Sequence, residues 1–155
     1  VGLAYRALGL VVPPGNPQAI TGLADLSRPG VQLVNRQAGS GTRVWLDRQL
    51  QAMEVEATAV AGYDTVETTH LRVARNVAEG SATVGLAIAA AGAAYGLDFI
   101  PLTRERYDLV IPQSVWENTA VQTLVRLVRG DHFRTAVAAL DGYDPVEEPS
   151  VNVIT

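Results

Sequence analysis

The stretch Val31-Gln32-Leu33-Val34-Asn35-Arg36-Gln37-Ala38-Gly39-Ser40-Gly41-Thr42-Arg43 decides how this chain is read. Residues 31–34 are a short apolar run, and an amphipathic run extends over 42–53. Between them lies a glycine-rich turn, so the order is strand, turn, helix. Gly39 and Gly41 permit the tight turn, and the first N–H groups of the following helix have no acceptor within it. Ser40 and Thr42 add hydroxyl donors there, and Arg43 adds a fixed positive charge. Two readings fit: a plain helix cap with glycines for the turn, or a cradle for an anion.

Outward from this stretch the chain alternates strand and helix. The helix over 42–53 is expected to bury Thr42, Trp45, Leu46, Gln49, Leu50 and Met53, with Arg43, Asp47, Arg48, Gln51 and Glu54 outward. Trp45 therefore reads as core rather than as a stacking platform. Upstream, residues 7–12 read as a buried strand ended by the turn or hinge Pro13-Pro14-Gly15-Asn16-Pro17. Thr21 is expected to cap a short helix over 22–26, and Pro29-Gly30 turns into the strand 31–34.

Downstream, residues 55–61 alternate enough for a strand, and Gly62-Tyr63-Asp64 turns out of it. Thr68-Thr69 caps a helix over 70–79, with Val73, Ala74 and Val77 inward and Gly80 as its stop. Residues 83–88 are apolar on both faces, as a central parallel strand would be. A helix of small side chains over 89–95 follows. Residues 97–102 and 107–111 read as two strands separated by the charged crossover 103–106. Asn118 caps a helix striped by Val121, Leu124, Val125 and Val128, and Gly130 ends it. Asp131 caps the last helix, with Phe133, Ala136, Val137 and Leu140 inward. The segment 144–155 reads as a loose or surface-bound tail. The class is α/β with mostly parallel sheets and flanking helices.

Composition bounds the chemistry. The 155 residues are 48% hydrophobic and 18% charged, which fits a packed globule of one domain or two small lobes. No apolar span is long enough for a transmembrane helix, so no membrane partner is expected. The chain opens on Val1 without Met, as a piece cut from something larger would. The absence of cysteine removes disulfides and thiolate chemistry, and the absence of lysine removes Schiff-base and P-loop roles. A net charge of −4 argues against a nucleic-acid surface.

Catalytic sets are not evident. Ser40 sits in Gly-Ser-Gly, not in a nucleophile elbow. His70 and His132 stand at helix starts, where a structural hydrogen bond is the simpler role. Glu147-Glu148 read as solvated charges, and no metal-ligand spacing occurs, so neither an enzyme nor a metal or cofactor site is expected. Anion binding survives this filter, with the starts at Ser40, Gly41, Thr42, Arg43 and at Thr69, His70 opening on one sheet edge.

An ordered series of segments points further. It comprises Gly9-Leu10-Val11-Val12-Pro13-Pro14-Gly15-Asn16-Pro17, the stretch Asn35 to Arg43, and Thr69-His70-Leu71-x-Val73-Ala74. It continues through Gly80-x-Ala82-x-Val84-Gly85-Leu86, Leu97-Asp98-Phe99-Ile100-Pro101-Leu102 and Tyr107-Asp108-Leu109-Val110-Ile111-Pro112. Over roughly residues 5–140 it resembles the periplasmic-binding-protein-like domains related to molybdate- and tungstate-binding proteins. Members are often fused to helix-turn-helix regulators or to a molybdopterin molybdotransferase.

The resemblance implies a type II fold with ligand between two α/β lobes, in a cytoplasmic sensor of molybdate or tungstate that signals by lobe closure. Residues 18–103 would form the second, ligand-binding lobe. Residues 1–17 and 107–155 would form a partial first lobe, because the chain starts after that lobe's opening strand–helix–strand unit. The ligand residues carried over are Ser40, Gly41, Thr42, Arg43, Thr69 and His70, with Tyr107 at the returning crossover, while Arg6 reads as a hinge-flanking residue. A homodimer would be one way to complete the truncated lobe. The alternative is an interaction or scaffold domain, or an organic-ligand-binding domain, of a molybdenum-cofactor biosynthesis enzyme. A third reading is an acyl- or phosphoryl-transferring enzyme using Ser40 or His70.

Overall fold

A computed structural model of the protein describes residues 1–147. Its elements are β1 (Gly2–Val12), β2 (Leu33–Arg36), α1 (Gly41–Ala52), β3 (Val66–Glu67), α2 (His70–Ala78) and β4 (Val84–Ile88). There follow α3 (Ala89–Ala93), β5 (Asp98–Asp108), α4 (Thr119–Arg129), α5 (Asp131–Ala138) and β6 (Tyr143–Pro145). The strands form one open sheet in the order β3-β2-β4-β1-β5, with β6 also paired to β1. β2 runs parallel to both β3 and β4, whereas β1 is antiparallel to β4 and to β6. The α/β class read from the sequence is the class observed, with its parallel pairs gathered around β2.

The chain divides into two compact units, one of Leu8–Thr103 and one of Val1–Ala7 with Arg104–Thr155. The larger unit is a sheet with a core on each face, set by the alternation of side chains along strands. On one face Leu8, Leu10, Val12, Leu33, Val84 and Leu86 meet Leu46 and Leu50 of α1. On the other, Val11, Val34 and Ala87 meet Val73, Ala74 and Val77 of α2 and Ala91 of α3. Trp45 packs against the first cluster, as its place on the apolar face of α1 implies. The close approach of α2 needs Gly85, because a Cβ there would lie 2.5 Å from Val73 Cγ1.

In the smaller unit β6 pairs with the first half of β1, matching Ala4 to Pro145 and Arg6 to Tyr143. α4 and α5 pack together, burying Val125, Val128 and Val137. Arg6 donates to Glu105 at 2.8 Å and lies 4.8 Å from the centre of the Tyr107 ring. Arg104 pairs with Asp144 and stacks over Tyr5 at 5.1 Å.

Several local expectations change. Residues 55–61 form no strand; they hold a single 3-10 turn, Ala57–Ala59, with only Val60 of that stretch buried. The strand that does form there is β3, only two residues long, which is too short to announce itself by pattern. The expected break at 103–106 is absent, and β5 continues through it. Its charges are met by Arg6, by Asp144 and, for Arg106, by Asp108 of the same strand, so no crossover loop is needed. On α4, Leu124 is exposed while its stripe-mates Val125 and Val128 are buried, and on the α5 side Leu140 is exposed. The expected tail begins as strand β6, while Glu148 lies outside the described residues.

Candidate functional site

β2 ends at Arg36, and the chain turns through Gln37, Ala38 and Gly39 into Ser40. Gly39 has φ +82°, a left-handed conformation that glycine adopts without a steric penalty. Ser40 then caps α1. Its Oγ accepts the Arg43 N–H at 3.2 Å, and its main-chain oxygen accepts the Val44 N–H at 3.0 Å. Thr69 caps α2 in the same way. Its Oγ1 accepts the Arg72 N–H at 3.1 Å, and its main-chain oxygen accepts the Val73 N–H at 3.1 Å.

The two starts share an edge because β2 and β3 are parallel, with Asn35 opposite Val66 and Arg36 opposite Glu67. Both α1 and α2 therefore leave from the carboxyl ends of neighbouring strands. This brings Ser40, Gly41 and Thr42 to the same sheet edge as Thr69 and His70, where the positive ends of two helix dipoles lie. β2 and β4 are neighbours whose following helices, α1 and α3, pack on opposite faces. A crevice opens at such a point in an α/β sheet, and ligands occupy it.

Arg36, which the sequence presents only as part of the turn, spans the two starts. Its Nη2 donates to the main-chain oxygen of Thr68 at 3.0 Å. The Gln37 N–H donates to the main-chain oxygen of Glu67 at 3.2 Å, extending the pairing past the end of β2. Beneath them Asn35 is fully buried and satisfied at both ends of its amide. Its Oδ1 accepts the Arg36 N–H at 2.8 Å, and its Nδ2 donates to the Tyr63 oxygen at 3.2 Å. This amide fixes the strand end on which the turn is built.

Arg43 is not on the solvent face of α1 as the helical pattern suggests; only 8% of it is exposed. Its Nε donates to Asp47 at 2.9 Å, its guanidinium lies 3.9 Å from the centre of the Tyr63 ring, and its Nη1 is 3.4 Å from the Arg36 oxygen. Tyr63 in turn donates its hydroxyl to Asp47 at 2.7 Å. Burial opposes the charge on Arg43, but Tyr63 and Asp47 outweigh it and raise the pKa above its ordinary value. Burial and the bond to Asp47 raise the Tyr63 hydroxyl, against the opposing effect of Arg43. The Arg43–Asp47 spacing is the familiar i,i+4 helix pair and is legible in the sequence; Tyr63 is not.

Tyr107 lies on β5 in the smaller unit, 51% exposed, with its ring beneath Arg6. His70 is the first residue of α2 and is partly buried. No helix among the described residues is long and apolar enough to cross a membrane.

The uncharacterized protein YvgK of Bacillus subtilis (strain 168) is 33% identical over 144 residues, covering 93% of this chain but 46% of its own length. The chain thus spans about half of that relative. Among solved structures, the substrate-binding domain assigned to a molybdenum ABC transporter from Clostridium difficile superposes with a TM-score of 0.59 at 16% identity. That alignment covers 95% of this chain and 66% of the other. A histidine kinase sensor domain similar to periplasmic binding proteins gives a TM-score of 0.61 at 16% identity, covering 96% and 63%. These structures share the open α/β sheet described above. With residues 1–129 matched by the model of the PBP superfamily domain, this chain belongs to that family of periplasmic-binding-protein-like domains.

Proposed function

We propose that this chain is a non-catalytic ligand-binding, sensor-type domain whose ligand is a small oxyanion, with molybdate or tungstate the leading candidates. The observation that carries the reading is the pair of side-chain-capped helix starts, Ser40 and Thr69, on the carboxyl edge of adjacent parallel strands. Such a place offers N–H donors, hydroxyls and helix dipoles to a negative group, with Arg36 beside them. The similarity to a domain assigned to a molybdenum transporter favours an oxyanion over a neutral ligand.

Each hydrogen bond to a charged ligand contributes about 1.5–3 kcal/mol, so roughly four to six of them supply on the order of 10 kcal/mol before association costs. Micromolar affinity is the expected scale once those costs are met. Residues 18–103 hold these groups and serve as the ligand-binding lobe, and binding there signals by shifting the domain towards a closed state.

Titration calorimetry of the protein with sodium molybdate, tungstate, sulfate and phosphate tests the reading. Saturable heat with at least one of the four is expected, and no heat with any of them removes the oxyanion assignment. A second reading, an interaction domain, is favoured by the exposed Leu124 and Leu127 on α4. Sedimentation across a concentration series tests it; a monomer throughout rules out self-association through that face.

A further inference from the structure

Arg43 lies in the first turn of α1, where a cation opposes the helix dipole. Side chains on a helix lean towards its N-terminus, so an arginine here naturally reaches over the first-turn N–H groups. Its Nη1 does reach back, to 3.4 Å from the Arg36 main-chain oxygen, but its Nε is tied one turn further along to Asp47 at 2.9 Å and the Tyr63 ring covers it at 3.9 Å. Tyr63 holds Asp47 in turn by its hydroxyl, at 2.7 Å. The Asp47 side chain is 44% exposed, against 10% for that of Arg43, so the carboxylate stands at the outer side of the pair.

We infer that Asp47 is an internal counter-ion that competes with external anions for Arg43, and that Tyr63 positions it, so that this trio sets the strength of the anion site. The inference rests on the oxyanion reading given above. A carboxylate four residues along the helix occupies, for the guanidinium, the place a bound anion would take. With that carboxylate present the site presents dipoles and hydroxyls backed by an almost neutralised cation. Without it, the full charge of Arg43 is released within one turn of Ser40, Gly41 and Thr42. Asp47 and Tyr63 are thus positioning residues rather than ligand contacts, and they limit affinity rather than support it.

The test is calorimetry with sodium molybdate and sodium phosphate on the wild type, Asp47→Asn, and Asp47→Asn combined with Arg43→Gln, at low and high sodium chloride. Asp47→Asn keeps the shape of the side chain and removes its charge. It is expected to tighten anion binding about threefold to tenfold at low salt, and to lose part of that gain in about 1 M salt, because salt screens the exposed anion more than the buried guanidinium. The double variant is expected to lose the gain at both salt concentrations. Tyr63→Phe, which keeps the ring over Arg43 and removes the hydroxyl, is expected to shift affinity in the same direction by a smaller factor, and it serves if Asp47→Asn does not fold. Unchanged affinity in the folded variants, or a gain that persists without Arg43, overturns the inference while leaving the oxyanion reading in place. Absence of binding by the wild type overturns both.

Discussion

The guanidinium of Arg36 donates to the main-chain oxygen of Thr68 across 3.0 Å, tying the end of β2 to the residue that precedes the cap of α2. Two segments more than thirty residues apart are thereby held as one edge. Arg36→Ala is expected to lower stability by about 1–2 kcal/mol, at or below the low end of the range for a charged hydrogen bond because this one is exposed. It should also weaken anion binding, because the two starts lose their common brace and the edge loses a cation. Thermal melts paired with calorimetry separate the two effects, and Arg36→Lys should restore charge without restoring the geometry of the bond.

Ser40 and Thr69 make equivalent caps, so their alanine variants should behave alike. Ser40→Ala and Thr69→Ala are each expected to cost about 1 kcal/mol of stability through loss of a cap. Their effects should add, since each hydroxyl caps its own helix. Thr69→Ser retains the hydroxyl and should recover most of the loss. Denaturant titrations of the single and double variants check this.

Gly62 is the glycine whose replacement should be least tolerated. It has φ +81°, and a Cβ there would lie 2.0 Å from the main-chain oxygen of Leu33. That oxygen belongs to β2, so the strand itself would have to move. Gly62→Ala is expected to destabilise by about 3 kcal/mol or more, combining backbone strain with overpacking. Gly30 also has positive φ, at +84°, but a Cβ there would meet no atom within 4 Å, so Gly30→Ala should report the backbone cost alone. The difference between the two melting temperatures measures the close approach to β2.

Asp25 accepts the N–H of Thr21 at 2.7 Å, its hydroxyl at 2.9 Å and the guanidinium of Arg28 at 3.0 Å. The N–H of Thr21, then Arg28, hold its carboxyl well below the usual carboxylate value. A group whose pKa is depressed on folding lends stability above its unfolded pKa and loses it as the pH falls towards the folded value. Melting temperature should therefore fall more steeply below about pH 4 in the wild type than in Asp25→Asn, and the two curves should converge in strong acid. Equal slopes for the two proteins would remove Asp25 as a contributor.

What the sequence discloses follows from how local each feature is. The cap at Ser40, the glycine turn before it and the cap at Thr69 are written within a few residues each, and all three stand where the pattern puts them. The burial of Arg43 is not local: its place on the helix is polar by pattern, and Tyr63, twenty residues on, covers it. The bridge from Arg36 to Thr68 is hidden because its acceptor is a main-chain oxygen, which leaves no trace in residue identity. β5 reads as two strands because its middle, Arg104-Glu105-Arg106, looks like a loop until Arg6 and Asp144 supply counter-charges. The strand expected over 55–61 shows the opposite failure: its weak alternation buries only Val60, and pairing with β2 begins only at its end, where the Ala61 oxygen accepts the Leu33 N–H at 2.8 Å.

Leu8 and Thr103, the ends of the larger compact unit, lie on β1 and β5, which are neighbours in the sheet. Its two termini therefore emerge side by side from an adjacent pair of strands. In gene-engineering terms the unit has the layout of a cassette, with its entry and exit on neighbouring strands.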